Sequence, residues 1–145
     1  MASPANFANK NMVEIIYKEE CKEIYGLLFK LQNDLGTNFQ EKHYQKAFEN
    51  LLIKNNIPYK RESPIKVEYA DKLLGNFSAD FIINDKLLLE FKCAPYISQD
   101  HIKQVLRYIQ AIKLKIGLIV NFRSYLLKPV RVLNEIKLSR PHITS

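Results

Sequence analysis

The spacing of apolar residues predicts three helices along the chain. From Met12 to about Leu35, and again from about Asn38 to Asn55, apolar residues recur every three or four positions, as on one face of an amphipathic helix. Gly36 follows the first segment as a helix terminator, and Asn38 is expected to cap the second. A third segment runs from a Ser98 cap to about Lys113. Three helices are therefore predicted.

Extended patterns fill most of the remaining chain. Ile65–Tyr69 alternates between apolar and polar residues, and Phe77–Ile83 and Lys86–Lys92 are apolar segments joined by a turn. Ile116–Phe122 is a continuous apolar run, typical of a strand covered on both faces, and Val130–Val132 is expected to be an edge strand. The order is helix, helix, three strands, helix, strand and a short last strand. It predicts an α/β fold with a mixed central β-sheet flanked by helices.

Composition narrows the class of protein. At 145 residues, 47% hydrophobic and 26% charged, the chain is expected to form one domain over residues 1–145, with a helical extension over about 11–35. Cys21 and Cys93 are far apart, which indicates a reducing compartment and gives no sign of a zinc site. No signal-peptide core or membrane-length apolar run is present, so a cytoplasmic protein is expected. None of the four glycines forms a phosphate-cradling loop, which disfavours a nucleotide-cofactor enzyme.

The charge is distributed unevenly along the chain. Residues 1–50 carry a net charge of −1 and residues 51–145 carry +8, for a total of +7. Such an excess of positive charge favours a polyanionic partner such as nucleic acid, although many small soluble proteins are basic without binding one.

Candidate chemistry is concentrated around the two central apolar segments. Asp80 lies in the first, and Glu90 and Lys92 end the second, on the face opposite Leu87, Leu89 and Phe91. Such charges are costly to bury unless they pair with one another or bind a cation. The Glu-x-Lys pattern is itself weak, because it also occurs at Glu20 and Glu135 and usually marks a solvated face. The middle copy differs because it ends an apolar strand that follows an Asp-containing strand.

The register of this hairpin decides whether a shared site can form. A two-residue turn at Asn84-Asp85 would place Asp80 and Glu90 on opposite faces of the sheet. A shared cation requires both on one face. We therefore predict a three-residue loop over Asn84–Lys86, or a bulge, that brings Asp80 opposite Glu90.

Polar residues on two of the predicted helices are further candidates. Glu41 falls within the apolar stripe formed by Tyr44, Phe48, Leu51 and Leu52, so it either turns inward toward a cation or a hydrogen-bond donor, or interacts favourably with the helix dipole. On the third helix, Gln104 and Tyr108 stack along the edge of the apolar stripe. Lys103 and Arg107 stack on its polar side.

These residues together resemble a known family. The segment Gly36-Thr-Asn-Phe-Gln-Glu41-Lys-His-Tyr44 resembles the signature of the GxxExxY proteins, a branch of the PD-(D/E)XK nuclease superfamily. Asp80 and Glu90-Phe-Lys92 continue the match, and Gln104 with Tyr108 resembles the Gln-x-x-x-Tyr motif of RecB-like nucleases. The resemblance covers about residues 24–132. It departs at Asn38, where the family has a turn-forming glycine.

The resemblance implies a restriction-endonuclease-like core of order αβββαβ and a hydrolase of phosphodiester bonds that uses Mg²⁺ or Mn²⁺. The implied metal ligands are the carboxylates of Glu41, Asp80 and Glu90 and the carbonyl oxygen of Phe91. Lys92 would complete the catalytic group by orienting water or neutralising charge on the phosphate. The implied phosphate contacts are Lys103, Gln104, Arg107 and Tyr108. DNA is favoured over RNA as the substrate, and self-association is left open. The alternative is a non-catalytic module of the same fold that binds nucleic acid or protein.

Overall fold

The predicted order of helices and strands is confirmed by the structure, a computed structural model that describes residues 17–135. The helices are α1 (Lys18–Leu35), α2 (Glu41–Lys54) and α3 (Gln99–Ala111). The strands are β1 (Tyr59–Tyr69), β2 (Lys72–Ile83), β3 (Leu87–Lys92), β4 (Ile116–Asn121) and β5 (Val130–Leu133). The fold is therefore α/β.

The five strands form one mixed sheet in the order β1-β2-β3-β4-β5. Strands β3 and β4 are parallel neighbours connected through α3, and the other three pairs are antiparallel. The carboxyl ends of β3 and β4 consequently lie at the same edge of the sheet. Every residue of β4 is buried, as its unbroken apolar pattern predicts.

Helices cover both faces of the sheet. Leu87, Leu89 and Phe91 of β3 pack in the core cluster that includes residues of α1 and α2, whereas Leu88 packs in the cluster of α3. The close packing of α3 depends on Gly117, because a Cβ atom there would lie 2.6 Å from Cγ1 of Val105. Three layers result, with the sheet in the middle.

Helix α1 is part of this core. Its residues Cys21, Ile24, Leu28 and Leu31 are buried in the cluster shared with α2 and the sheet. That residues 1–145 form a single domain stays a prediction. In the described part of the chain, no helix is both long and apolar enough to cross a membrane.

Several predicted boundaries were wrong, and the first concerns the start of α2. Gln40, and not Asn38, is the N-cap residue of this helix. The backbone N–H of His43 donates to the Gln40 backbone oxygen at 3.0 Å, and His43 Nδ1 accepts a hydrogen bond from the Gln40 N–H at 3.1 Å. This reciprocal pair satisfies two backbone donors, which a cap at Asn38 would not do.

The strands are longer than predicted and the third helix is shorter. Strand β1 begins at Tyr59 instead of Ile65, and β2 begins at Lys72 instead of Phe77, because the two form a long hairpin that turns at Ala70-Asp71. Helix α3 ends at Ala111 instead of Lys113. The predicted helical segment before residue 17 lies outside the described residues.

The register of the central hairpin is the one predicted. Ile83 pairs with Leu87 and Phe81 with Leu89, which leaves a three-residue loop over Asn84–Lys86. Asn84 and Asp85 both have positive φ, at 53° and 55°. Asn and Asp tolerate this conformation better than most residues, so the loop sequence favours the observed turn. Continued by one residue, this register sets Asp80 opposite Glu90.

Candidate active site

Two hydrogen bonds across the hairpin join Asp80 to Glu90 and to the neighbouring Phe91. The backbone N–H of Asp80 donates to Oε1 of Glu90 at 3.0 Å. In return, the backbone N–H of Phe91 donates to Oδ2 of Asp80 at 2.7 Å. Each carboxylate is thus held by the backbone of the opposite strand. The two acidic groups are adjacent, as the predicted register requires.

Burial makes these neighbouring carboxylates costly to ionise. The Glu90 side chain is buried, and desolvation followed by repulsion from Asp80 raises its pKa from 4.5 to about 8. Desolvation also raises the pKa of Asp80, although the hydrogen bond from Phe91 opposes that shift. Lys92 lowers both pKa values without cancelling the shifts. The site is therefore short of positive charge.

Glu41 approaches the same site from the first residue of α2. Its Oε1 accepts a hydrogen bond from the backbone N–H of Cys93 at 3.2 Å, just beyond the end of β3. The Glu41 charge contributes to the raised pKa values of both Asp80 and Glu90. The side chain is half-buried, so it turns toward the sheet while also lying in the helix turn where the dipole favours a carboxylate.

Tyr44, three residues after Glu41, packs in the core and bonds the loop before α2. Its fully buried ring stacks on Phe122 at a centroid distance of 4.2 Å. Its hydroxyl donates to the backbone oxygen of Gly36 and accepts a hydrogen bond from the backbone N–H of Phe39 at 3.4 Å. Tyr44 therefore fixes the loop that leads into α2, and with it the position of Glu41.

Gln45 is a site residue that the sequence analysis missed. Its side chain hydrogen-bonds Asp80, and its Oε1 accepts a hydrogen bond from Arg61 at 3.4 Å. Arg61 also pairs with Glu49 at 3.0 Å. The available signal was the four-residue spacing from Glu41, which places Gln45 on the same side of α2.

Lys92 and Phe91 have different surroundings although they are neighbours in β3. Lys92 is partly exposed, and its positive charge acts on both Asp80 and Glu90. The Phe91 ring is buried in the opposite core cluster, so only the backbone of this residue faces the carboxylates. This arrangement matches the predicted alternation of β3.

The candidates on α3 divide into two groups. Gln104 hydrogen-bonds the hydroxyl of Tyr108, whose buried ring packs against Phe77 at 5.3 Å. Burial and then the charge of Glu90 raise the pKa of Tyr108. The influence of Glu90 indicates that this pair lies near the carboxylates. Lys103 and Arg107 are exposed on the outer side of the helix.

Asn121, at the end of β4, was also missed. Its buried side chain accepts a hydrogen bond from the backbone N–H of Ala94 at 3.1 Å and donates one to the Ala94 oxygen at 2.9 Å. It accepts a third from the backbone N–H of Arg123 at 3.2 Å. Asn121 thus ties the loop after β3 to the loop after β4. An Asn that ends an otherwise apolar run was the available signal.

The acidic residues can be compared with the needs of a divalent cation. Among residues 17–135, no three His, Cys, Asp or Glu side chains lie close enough together to hold a metal ion. Two carboxylates that repel one another in a buried setting nevertheless supply the hard oxygen donors that Mg²⁺ and Mn²⁺ prefer. The residues present fit a cation held first by Asp80 and Glu90.

An open cleft of about 820 Å³ lies at the start of α2, and its lining includes neither Asp80 nor Glu90. Its lining includes Glu41 and Cys93 from the site and two cationic side chains, Lys42 and Arg123. Burial raises the pKa of the Cys93 thiol, which keeps it protonated. The cleft gives a ligand access to the carboxyl edge of β3.

Comparison with known proteins gives the family. The family model described as the PD-(D/E)XK nuclease superfamily matches residues 18–132, so the chain belongs to this superfamily. Its members are generally hydrolytic nucleases that use divalent metal ions. No curated protein gives a significant match.

A solved structure agrees on the fold. The crystal structure of SSO0001 matches with a TM-score of 0.53 at 19% identity, over 83% of this chain and 61% of that one. At that identity the match concerns the fold alone. The family model, the mixed sheet and this structural match together confirm the predicted restriction-endonuclease-like class.

Proposed function

We propose that this protein is a divalent-metal-dependent deoxyribonuclease of the GxxExxY type, with Asp80, Glu90 and Lys92 as its catalytic residues. The observation that carries the proposal is the pairing of Asp80 with Glu90, in which burial and mutual repulsion raise the pKa of Glu90 to about 8. A site with this excess of negative charge favours a bound cation. Membership of a nuclease superfamily supports the choice of reaction.

Each residue has a role that follows from its chemistry. Asp80 and Glu90 would hold Mg²⁺ or Mn²⁺, with the Phe91 carbonyl and Glu41 as further oxygen ligands. When bound, such an ion polarises a phosphodiester and lowers the pKa of water. Lys92 would place its ammonium group near the phosphate oxygens and offset their charge.

The residues of α3 would hold the substrate. Gln104 and Tyr108 lie beside Glu90 and can donate hydrogen bonds to phosphate oxygens. The exposed cations Lys103 and Arg107 would contact phosphates further along the strand. We also propose a cytoplasmic location and leave the number of subunits to measurement.

Cleavage and metal binding test the proposal separately. Purified parent protein should degrade DNA with Mn²⁺ or Mg²⁺ and not with a chelator, and Asp80→Asn should abolish cleavage. Mn²⁺ should raise the melting temperature of the parent by mass action and that of Asp80→Asn much less. Lys92→Ala should keep the metal-induced shift and lose turnover, because its amine acts on water or phosphate and not on the ion.

Asp85→Asn is a matched control for Asp80→Asn. Asp85 is exposed in the loop after β2 and has a φ of 55°, which Asn tolerates well. This variant should cut DNA and respond to Mn²⁺ as the parent does. If the parent and Asp80→Asn respond equally to Mn²⁺ and neither cuts DNA, the nuclease proposal fails, and a non-catalytic binding module becomes the better account.

A further inference from the structure

Three exposed aromatic side chains, Phe39, Tyr96 and Tyr125, lie on loops around the carboxyl edge of β3 and β4, and we name them the aromatic rim. Tyr125 is 91% exposed, Tyr96 is 71% exposed and Phe39 is 46% exposed. The rings come from three different loops: before α2, after β3 and after β4. A single exposed ring is ordinary, but three on hydrogen-bonded loops at one edge of the sheet suggest a ligand with flat apolar faces.

Hydrogen bonds hold two of these loops to each other. The Asn121 side chain bonds both backbone groups of Ala94, and the N–H of Phe122 donates to the oxygen of Lys92 at 3.0 Å. The loop after β4 is further fixed by Gln32, whose Nε2 donates to the Ser124 oxygen at 2.7 Å. Tyr96 and Tyr125 therefore lie on a braced frame.

The third loop is attached to the same frame. Sγ of Cys93 donates to the Phe39 oxygen at 3.6 Å, and the N–H of Cys93 donates to Glu41. Phe39 and Cys93 both line the open cleft. Loops whose backbones are braced in this way need little further ordering when a ligand stacks on their rings, which favours binding.

Positive charge lies among these rings. Lys42 and Arg123 line the cleft with Phe39, and both are exposed. Arg123 is two residues before Tyr125, so a cation and a ring project from the same short loop. Aromatic faces interleaved with cations match a chain that carries bases and phosphates alternately.

We propose that the aromatic rim stacks the bases of an unpaired DNA strand, while Lys42 and Arg123 contact its phosphates. This inference rests on the proposed function and names its substrate class as DNA with single-stranded segments. In an uninterrupted duplex each base is already covered by its neighbours, so the rings would have no free face to stack on. In an unpaired strand those faces are open.

The experiment measures binding in a chelator, so that cleavage does not interfere. The full chain is titrated into fluorescein-labelled oligothymidylate, or into a labelled duplex of equal length, and fluorescence anisotropy is recorded. The parent should bind the single strand more tightly than the duplex. Tyr96→Ala and Tyr125→Ala should each weaken single-strand binding by about five- to 150-fold, the range that corresponds to the loss of one stacked base.

Matched variants separate stacking from other contributions. Tyr125→Phe keeps the ring and should bind as the parent does, whereas Tyr125→Leu keeps only an apolar side chain and should bind as weakly as Tyr125→Ala. Ile53→Ala removes an apolar side chain that is 57% exposed in the last turn of α2, at the opposite end of that helix from the cleft. It should leave binding unchanged. Circular-dichroism melting of each variant checks that the fold is retained.

The outcomes distinguish this inference from the nuclease proposal. Equal binding by the parent, Tyr96→Ala and Tyr125→Ala, or parental binding by Tyr125→Leu, overturns stacking, and so does a parent that prefers duplex or binds neither DNA. Metal-dependent cleavage by the parent would still support the nuclease proposal in those cases. Conversely, tyrosine-dependent binding by a parent that cuts no DNA supports stacking and contradicts the nuclease proposal.

Discussion

Replacing Glu90 by Gln should stabilise the metal-free protein, and by an amount that depends on pH. The folded-state pKa of Glu90 is about 8, against 4.5 for the ordinary group. Between these values the folded protein binds more protons than the unfolded one, so the parent loses stability as the pH rises. The loss is absent below pH 4.5 and complete above about pH 8. The substituted amide carries no charge, and its oxygen can still accept the hydrogen bond from the Asp80 N–H.

The size of the effect follows from the shift. Each pKa unit corresponds to about 1.4 kcal/mol, so the full shift amounts to on the order of 5 kcal/mol in the free energy of unfolding. With a urea m-value of about 2 kcal/mol/M, the midpoint of Glu90→Gln should exceed that of the parent by roughly 2.5 M above the folded-state pKa. Below the ordinary pKa of Glu the two midpoints should agree.

Urea unfolding of both proteins across this pH range, in a chelator, provides the measurement. Glu68→Gln is the control, because Glu68 is exposed in β1 and its replacement should leave the pH profile of the parent unchanged. Added Mn²⁺ should then raise the urea midpoint of the parent at high pH more than it raises the midpoint of Glu90→Gln. Parallel profiles for parent and Glu90→Gln would refute the raised pKa assigned to Glu90 from its burial and its repulsion by Asp80.

Three further predictions concern the residues around the carboxylates. Tyr44→Phe removes the hydroxyl that bonds the loop before α2, so the free energy of unfolding should fall by about 1 kcal/mol in urea titrations, with Tyr125→Phe as an exposed control. Asn121→Ala leaves both backbone groups of Ala94 without their partner and should lower the free energy of unfolding by about 2–4 kcal/mol. Asn121→Asp should not fully restore this stability, because a carboxylate cannot donate a hydrogen bond to the Ala94 oxygen. Charge reversal at Lys103 and Arg107 should flatten the salt dependence of duplex binding by about 0.9 per lost phosphate contact, measured as the slope of log K against log salt. An unchanged slope would place the DNA away from α3.

Much of the fold could be predicted because its apolar pattern is strong. The continuous run of β4, the amphipathic stripe of α3 and the Ser98 cap each correspond to one local structure. The long β1–β2 hairpin was harder to predict. Its outer residues are exposed and give no clean alternation, so the pattern predicts a strand that begins at Phe77, whereas β2 begins at Lys72.

The candidate site could be predicted only in part, because its supporting contacts are made between distant segments. Acidic residues that interrupt apolar strands are visible in a sequence, which is why Asp80 and Glu90 could be found. The role of Gln45 depends on where α2 crosses β2, and that of Asn121 on the backbone of a loop 27 residues earlier. Neither of these long-range contacts leaves a signal in the local sequence.

Hairpin register connects the fold to its chemistry. The loop over Asn84–Lys86 adds one residue to the shortest turn, and this single residue decides which face of the sheet Asp80 occupies relative to Glu90. Parallel pairing of β3 with β4 then sets Asn121 beside the loop that follows Lys92. The same sheet that brings the two carboxylates together therefore also fixes the loops from which Tyr96 and Tyr125 project. A substrate strand stacked on those rings would lie at the edge of the sheet where the carboxylates are.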